Sequence, residues 1–340
     1  MKPEKATTIY DVAREAKVSI ATVSRVFNKS PRVKPETVAL VLKTAAKLNF
    51  SPNASARGLS GGKQNTIGVV LPVLYGGFFS EFVFTLHSLL ENEGFDIVIA
   101  GRRGSSEELF ATLRKLSSKI DGLILMYHKA GIREEINSLF PGLPTVMLSR
   151  FNRFLGEADL ALNNITGAKM ATEHLIAQGH KKIALIEGEK GNTDAIERKE
   201  AFISATEKGG ISPENIEILE GNFRQITGYY AMERLFTKRK DITAVFASND
   251  AMALGALNHF QSSGIRVPED VALCGFDDIE YVQMTHPSLT SVNLNISKFG
   301  TLAFQKMTEA LNGYDTLSEP SKILIEPELK IRKSTDFKRE

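Results

Sequence analysis

The sequence predicts a small all-α head, a short hinge helix and a larger α/β body of two doubly wound, parallel-sheet lobes. Three observations predict it. Residues 8–28 hold two short helical patterns separated by a tight connection, the spacing of a helix-turn-helix. From Thr66 onward, short apolar runs alternate with amphipathic stretches, as in parallel sheets covered on both faces. The charge divides where the texture does. Residues 1–65 carry 12 Lys+Arg against 4 Asp+Glu, and the remainder carries 30 against 36, within a net charge of +2.

The head follows from its caps and stripes. Thr8 is placed to cap a first helix, with Asp11 three residues on completing a capping box. Ile9, Val12, Ala13 and Ala16 recur at helical spacing. Ser19 is placed to cap a second helix whose buried side is Val23 and Val26. Small residues at Ala13 and Ala16 let the two helices cross closely. In a helix-turn-helix the second helix enters a DNA major groove, although a helix pair without a ligand has the same spacing. A third helix opens at Lys34-Pro35-Glu36, proline being suited to a first turn, and carries Val38, Val41, Leu42, Ala45 and Leu48 on one side. A basic head on a mildly acidic body suits a polyanionic partner.

Residues 51–59 begin Ser-Pro and include Gly58, and they are too few for an isolated helix to hold in water. Such a segment is helical only when something holds it. Leu59 has little around it in sequence to bury it. It either rests on the body or serves as an apolar wedge between base steps. Residues 60–65, Ser-Gly-Gly-Lys-Gln-Asn, read as a linker.

In the body, apolar runs at residues 67–71, 95–100, 122–126, 145–148, 182–186, 216–219, 244–247 and 271–275 are the expected strands. Amphipathic stretches between them, among them 79–93, 105–116, 165–178, 195–208, 226–236, 252–263 and 297–311, are the expected helices. Eight strands suit two lobes better than one. In such sheets ligands bind beyond the carboxyl ends of the strands, so two facing lobes enclose a cleft.

The exclusions are broad. No apolar run approaches a membrane span, and Met-Lys-Pro-Glu-Lys followed by a polar helix is not a signal peptide. One cysteine, Cys274, permits neither an intrachain disulfide nor a cysteine metal cage, which favours a reducing, cytoplasmic setting. G-x-S-x-G, H-E-x-x-H and a strand-borne G-x-G-x-x-G are missing, and the six histidines show no ligand spacing. His180 reads as a turn residue and Cys274 as a small core residue. Neither an enzyme nor a cofactor is expected.

Polar residues gather where strands end: Asn249 and Asp250, Asp277 and Asp278, Arg198, Arg150 and Asn152, with Phe78, Phe79 and Phe223 nearby. Arg, Asp and Asn supply donors and acceptors for vicinal hydroxyls, and aromatic rings supply flat walls for a sugar or a base. Helix capping explains Asn249 and Asp250 equally well.

Seven segments carry a resemblance to the LacI/GalR family of bacterial transcription regulators. They are IYDVAREAKVSIATVSRVFN at 9–28, LNFSPNASARGL at 48–59, NTIGVVLP at 65–72, GHKKIA at 179–184, SNDAMALG at 248–255, VPEDVALCGFDD at 267–278 and PSLTSV at 287–292. The resemblance implies a repressor acting as a homodimer or tetramer on a pseudo-palindromic operator, with a small effector in a periplasmic-binding-protein-like core. It implies a head at 1–50, a hinge at 51–65, and a core at 66–340 whose lobes are 66–163 with 294–321 and 164–293 with 322–340. Base-reading positions fall on Ile20, Ala21 and Arg25. Thr8, Tyr10, Ser19, Thr22, Ser24 and Asn28 fall on backbone-holding positions, and Asn53, Ala56 and Leu59 on the hinge, with Leu59 as the inserted leucine. Effector positions fall on Phe78, Phe79, Arg150, Arg198, Phe223, Asn249 and Asp277.

Asn249 with Asp277 resembles a sugar site more than a purine site, a nucleobase or other metabolite as corepressor being the alternative. The chain departs from the family pattern at Ala201, where glycine is usual, and at Val73 and Ser149, where many members carry aspartate. A pocket with fewer acids and both Arg150 and Arg198 suits a phosphorylated or carboxylated sugar, unless Arg150 points to solvent. Gln305 replaces a phosphocarrier-binding arginine, so that partner is not expected.

Overall fold

A computed structural model describes residues 7–27, 30–50, 64–101, 105–127, 131–149, 158–313 and 323–336. The chain divides into two compact units, Met1–Gln64 and Asn65–Glu340.

The first unit holds α1 (Ile9–Glu15), α2 (Ile20–Phe27) and α3 (Pro35–Lys47). The Asp11 carboxylate accepts from the Thr8 hydroxyl at 2.7 Å and the Thr8 backbone N–H at 3.0 Å. These bonds, the hydroxyl's first, hold its pKa below the usual value. Ser19 Oγ accepts from the Thr22 N–H and starts α2. Lys17, at φ 53°, makes the turn between the helices. The core is Val12, Ala13, Ala16, Val23, Val26, Val41 and Ala45. Its small members allow the close crossing that the sequence requires.

The second unit begins with β1 (Thr66–Leu71), α4 (Gly77–Asn92), β2 (Asp96–Gly101), α5 (Ser106–Leu116), β3 (Gly122–Leu125), α6 (Ile132–Leu139), β4 (Thr145–Ser149) and β5 (Leu160–Leu162). The chain then passes to a second lobe of α7 (Asn164–Ala177), β6 (Ile183–Ile186), α8 (Thr193–Lys208), β7 (Ile216–Leu219), α9 (Gln225–Lys238), β8 (Ala244–Ala247), α10 (Asp250–Ser262), β9 (Ala272–Asp277) and β10 (Thr290–Asn293). It returns for α11 (Ile296–Leu311) and β11 (Ile323–Ile325), and crosses a third time to β12 (Glu328–Lys330).

The two sheets run β11-β5-β4-β3-β1-β2 and β12-β10-β9-β8-β6-β7. All pairings are parallel except β10 with β12. In the sequence, β5, β10, β11 and β12 went unread. β5 and β11 are only three residues long, and β10 and β12 are mostly polar, so none of the four stands out as an apolar run. The third crossing is also later than the expected 321/322 boundary, because β11 pairs with β5 in the first sheet.

The crossings are tied to one another. Asn163, at the first, donates from Nδ2 to both carboxylate oxygens of Glu326 at 2.9 and 3.1 Å. The Asn163 N–H donates to Ile325 O, and Asn295, at the second crossing, donates to the Glu326 carbonyl at 3.4 Å. Among the described residues, no helix is long and apolar enough to cross a membrane, and no cluster of His, Cys, Asp or Glu is arranged to hold a metal ion.

Candidate functional site

The loops beyond β1, β6, β7, β8 and β9 surround a cavity of about 740 Å³, at the strand ends where open α/β sheets bind ligands. Its walls include Phe78, Phe79, Phe223, Asn249 and Asp277. Phe78 and Phe79 meet edge to face at 5.2 Å. Phe223, at φ 63°, is fixed by Asn249 Nδ2, which donates to its carbonyl at 3.1 Å. The ring of Phe223 lies so close on the backbone of Gly188 that a Cβ there would collide with it. Asn249 Oδ1 accepts from the Met252 N–H at 3.0 Å and caps α10. The capping role and the place in the wall therefore coexist in one side chain.

Arg198 stands behind the wall, fully buried. Its guanidinium stacks on Phe276 at 3.8 Å from the ring centroid. Nε and Nη2 donate to Asn164 Oδ1 at 3.1 and 2.9 Å, and Nη1 donates to Ser248 O. Its Nη2 lies 3.6 Å from Asp277 Oδ1, so its charge supports a carboxylate of the wall.

The turn that carries Asp277 is held from several sides. Asp277 and Asp278 have φ values of 107° and 57°, a conformation that costs a non-glycine residue about 1–3 kcal/mol and persists only where neighbours impose it. The Asp278 N–H donates to Ser291 Oγ at 3.1 Å. The Asp278 carboxylate accepts from Asn293 at 2.9 Å and pairs with Arg332 at 2.6 Å. Asp250 accepts from Ser291 Oγ at 2.6 Å and from the Ile279 N–H at 2.9 Å.

Burial pushes the Asp250 carboxyl well above the usual range, and the charges of Asp277 and Asp278 push the same way. A carboxyl with a raised folded pKa favours the folded state while protonated. That contribution is complete below the ordinary carboxylate pKa and is lost as pH rises through the raised value. Asp250→Asn can still accept from Ile279 and can donate to Ser291. The wild type is expected to lose more stability than this variant as pH rises above the ordinary carboxylate range. Urea unfolding over that rise in pH checks it, and parallel profiles would count against the assignment.

In the head, Thr8, Tyr10, Ser19, Ile20, Ala21 and Arg25 are exposed, while Thr22 and Ser24 are half-buried. Ala21 and Arg25 lie on the face of α2 away from its buried Val23 and Val26, and Ile20 is exposed at its first position. Asn28, Asn53, Ala56, Leu59, Arg150 and Asn152 lie outside the described residues.

Residues 8–53 match the model for bacterial regulatory proteins of the lacI family, and residues 172–335 match a periplasmic binding protein-like domain. HTH-type transcriptional repressor PurR of Haemophilus influenzae (strain PittEE) is 34% identical over 332 residues, 96% of this chain and 98% of that protein. The chain belongs to the LacI family. The probable HTH-type transcriptional repressor ExuR of Bacillus subtilis (strain 168) is 33% identical over 341 residues, 96% of this chain and 98% of its own length. The lac repressor dimer bound to operator and the anti-inducer ONPF superposes with a TM-score of 0.79 at 27% identity, covering 97% of this chain and 99% of that one. The transcriptional regulator CelR in complex with cellobiose gives 0.67 at 29% identity, covering 96% and 99%.

As a LacI-family protein, the chain is a DNA-binding transcriptional regulator with an effector-binding core. The helical head and two parallel-sheet lobes expected from the sequence are those of this family. Of the expected effector residues, the cavity wall gathers Phe78, Phe79, Phe223, Asn249 and Asp277, and Arg198 lies behind it. Sequence reasoning missed Tyr75, Lys190, Asn192, Asp194, Asn222 and Arg224, which also line it. They belong to the same strand-end loops, and taking each loop whole would have found them.

Proposed function

We propose that the protein is a cytoplasmic, homodimeric repressor whose operator affinity is set by a sugar or sugar derivative in the inter-lobe cavity. The observation that carries the ligand class is the wall itself. Aromatic rings give a sugar's apolar faces somewhere to rest, and Asn249, Asp277, Asn192 and Asn222 supply the mixed donors and acceptors that hydroxyls need. The cellobiose complex of CelR, a relative at 29% identity, supports it. A nucleobase is the second reading, because the flat ring of Phe223 seated on Gly188 suits a planar ligand.

On DNA, Ile20 and Ala21 would meet thymine methyls and Arg25 a guanine, with Thr8, Tyr10, Ser19, Thr22 and Ser24 on the backbone. Arg25→Gln is expected to cost about 1–3 kcal/mol in specific binding and to relax base discrimination at one position. Gel shifts with the gene's own upstream DNA and single-base variants of it check this. Undiminished discrimination would remove Arg25 from the base-reading set. The whole switch is tested by titrating sugars and nucleobases with and without that DNA. Linkage requires operator and ligand to shift each other's affinity by one common factor, and identical ligand affinities in both conditions would sink the allosteric reading.

Large exposed apolar side chains mark the surface we assign to the second copy. They are Phe84 on α4, Val98 and Ile99 on the edge strand β2, Ile226 and Tyr230 on α9, and Tyr281 and Met284 beyond β9. Exposed side chains of this size are candidates for a partner to cover, and lac repressor is a dimer on its operator. Phe84→Asp combined with Tyr281→Asp is expected to shift the protein to monomer in sedimentation equilibrium. An unshifted dimer would place the interface elsewhere.

A further inference from the structure

We propose that the ligand is an acidic sugar, carrying a carboxylate or a phosphate, and that Lys190 and Arg224 receive its charge. The inference rests on the sugar reading above and narrows it. It does not use Arg198, whose guanidinium is already engaged by Asn164, Ser248, Phe276 and Asp277.

The charged groups around the cavity divide into two kinds. Its carboxylates are engaged within the protein. Asp277 lies 3.6 Å from Arg198, Asp194 accepts from Asn164 Nδ2 at 3.2 Å, and Glu189 also has a partner. Its two lining cations are different. Among the described residues, neither Lys190 nor Arg224 has a carboxylate within 4.0 Å. The Arg224 guanidinium sits over the ring of Tyr75, 5.6 Å from its centroid. Arg224 comes from the second lobe and Tyr75 from the first, so the contact joins the two lobes at the cavity wall. Stacking on a ring uses the face of a guanidinium and leaves its N–H edge for an anion.

The helix ends reinforce the same sign. Four helices begin at this cavity. Two of them, α8 and α10, are capped by the side chains of Asn192 and Asn249. The other two, α4 and α9, begin at Gly76 and Arg224 with no side-chain cap and no acid in the first turn. Both helix starts line the cavity, and their dipoles bring partial positive charge there with no carboxylate in the first turn to offset it. The two cations and the two helix starts together favour a ligand that brings negative charge. Charge-assisted bonds to such a group are about twice as strong as neutral ones.

Two measurements on the full-length protein test the proposal. The first titrates inorganic phosphate by thermal shift, in chloride buffer, against the wild type and Lys190→Gln/Arg224→Gln. Phosphate is expected to stabilise the wild type saturably, with an apparent affinity at least about 10-fold weaker in the double variant. Equal stabilisation of both, or of neither, overturns the site.

The second is calorimetric and needs no variant. It compares glucose, glucuronate and glucose 6-phosphate, the corresponding galactose series, and fructose with fructose 6-phosphate. Within a series, one acidic member is expected to bind at least about 30-fold more tightly than its neutral parent. The carboxylate and phosphate arms show which acid it is. Neutral parents that bind as well as their acids overturn this inference and leave the sugar reading standing. Binding of nucleobases with no sugar bound removes the sugar reading and this inference together. A panel in which no acidic sugar binds overturns the inference as stated.

Discussion

Replacing Gly255 by alanine is expected to destabilise the two-lobed unit by about 3 kcal/mol and to weaken ligand binding. Helices α9 and α10 cross with their backbones in contact. A Cβ at Gly255 would collide with the Gln225 carbonyl and lie 2.9 Å from the Tyr229 nitrogen, and one at Gly228 would collide with the backbone of Met252. These neighbours are main chain, so relief requires the helices to separate. They cannot separate quietly, because each is anchored at the cavity: α9 begins at Arg224 and α10 at Asn249. The overpacking should therefore appear twice, as a lower urea midpoint and as a weaker ligand titration. A midpoint within about 0.5 kcal/mol of wild type would mean that the crossing has slack its backbone contacts do not show.

Arg198→Ala is expected to cost about 3–5 kcal/mol, the range for removing one partner of a buried charge pair. The loss has several sources. Asp277 keeps a buried negative charge without its guanidinium, Asn164 Oδ1 and Ser248 O lose donors, and Phe276 loses the cation stacked on it. Lysine is not expected to rescue, because one ammonium cannot reproduce a planar fork that bonds Asn164 and Ser248 while lying flat on a ring. Arg198→Met combined with Asp277→Asn removes both charges, and should recover part of the stability without recovering ligand affinity. Denaturant unfolding and ligand titration on the three variants check this. A full recovery of both would show that Arg198 serves only to neutralise Asp277.

The parts of the fold legible in the sequence are those written in local terms. Thr8, Ser19 and Pro35 mark helix starts, and Val12, Val23 and Val41 fall on stripes with helical spacing. The strands that were read are apolar runs such as Gly122–Leu125 and Ala244–Ala247. The other strands are too short or too polar to stand out as apolar runs. Thr290–Asn293 is polar at three of its four residues, and it is a strand because β9 and β12 lie on either side of it. The site divides in the same way. Phe223, Asn249 and Asp277 stand where strands end, so the fold class pointed to them. Arg198 looked like a ligand group because its burial depends on the stack with Phe276, which no spacing reveals. Lys190 and Arg224 sit in irregular loops with no period to mark them. Only the cavity, and the engaged state of the carboxylates around it, distinguishes them from ordinary solvated cations.

Glu326 gives the lobes a shared pivot. The first crossing is bound to its carboxylate, the second to its carbonyl, and the third is its own backbone. Three separate ropes between two bodies would permit shear, twist and splay as independent motions. Ropes knotted at one point leave chiefly a swivel about the knot. Work done by a ligand on either wall then has one soft coordinate along which to appear, and a mutation at the knot should change how easily the bodies swing while leaving the contacts with ligand as they were.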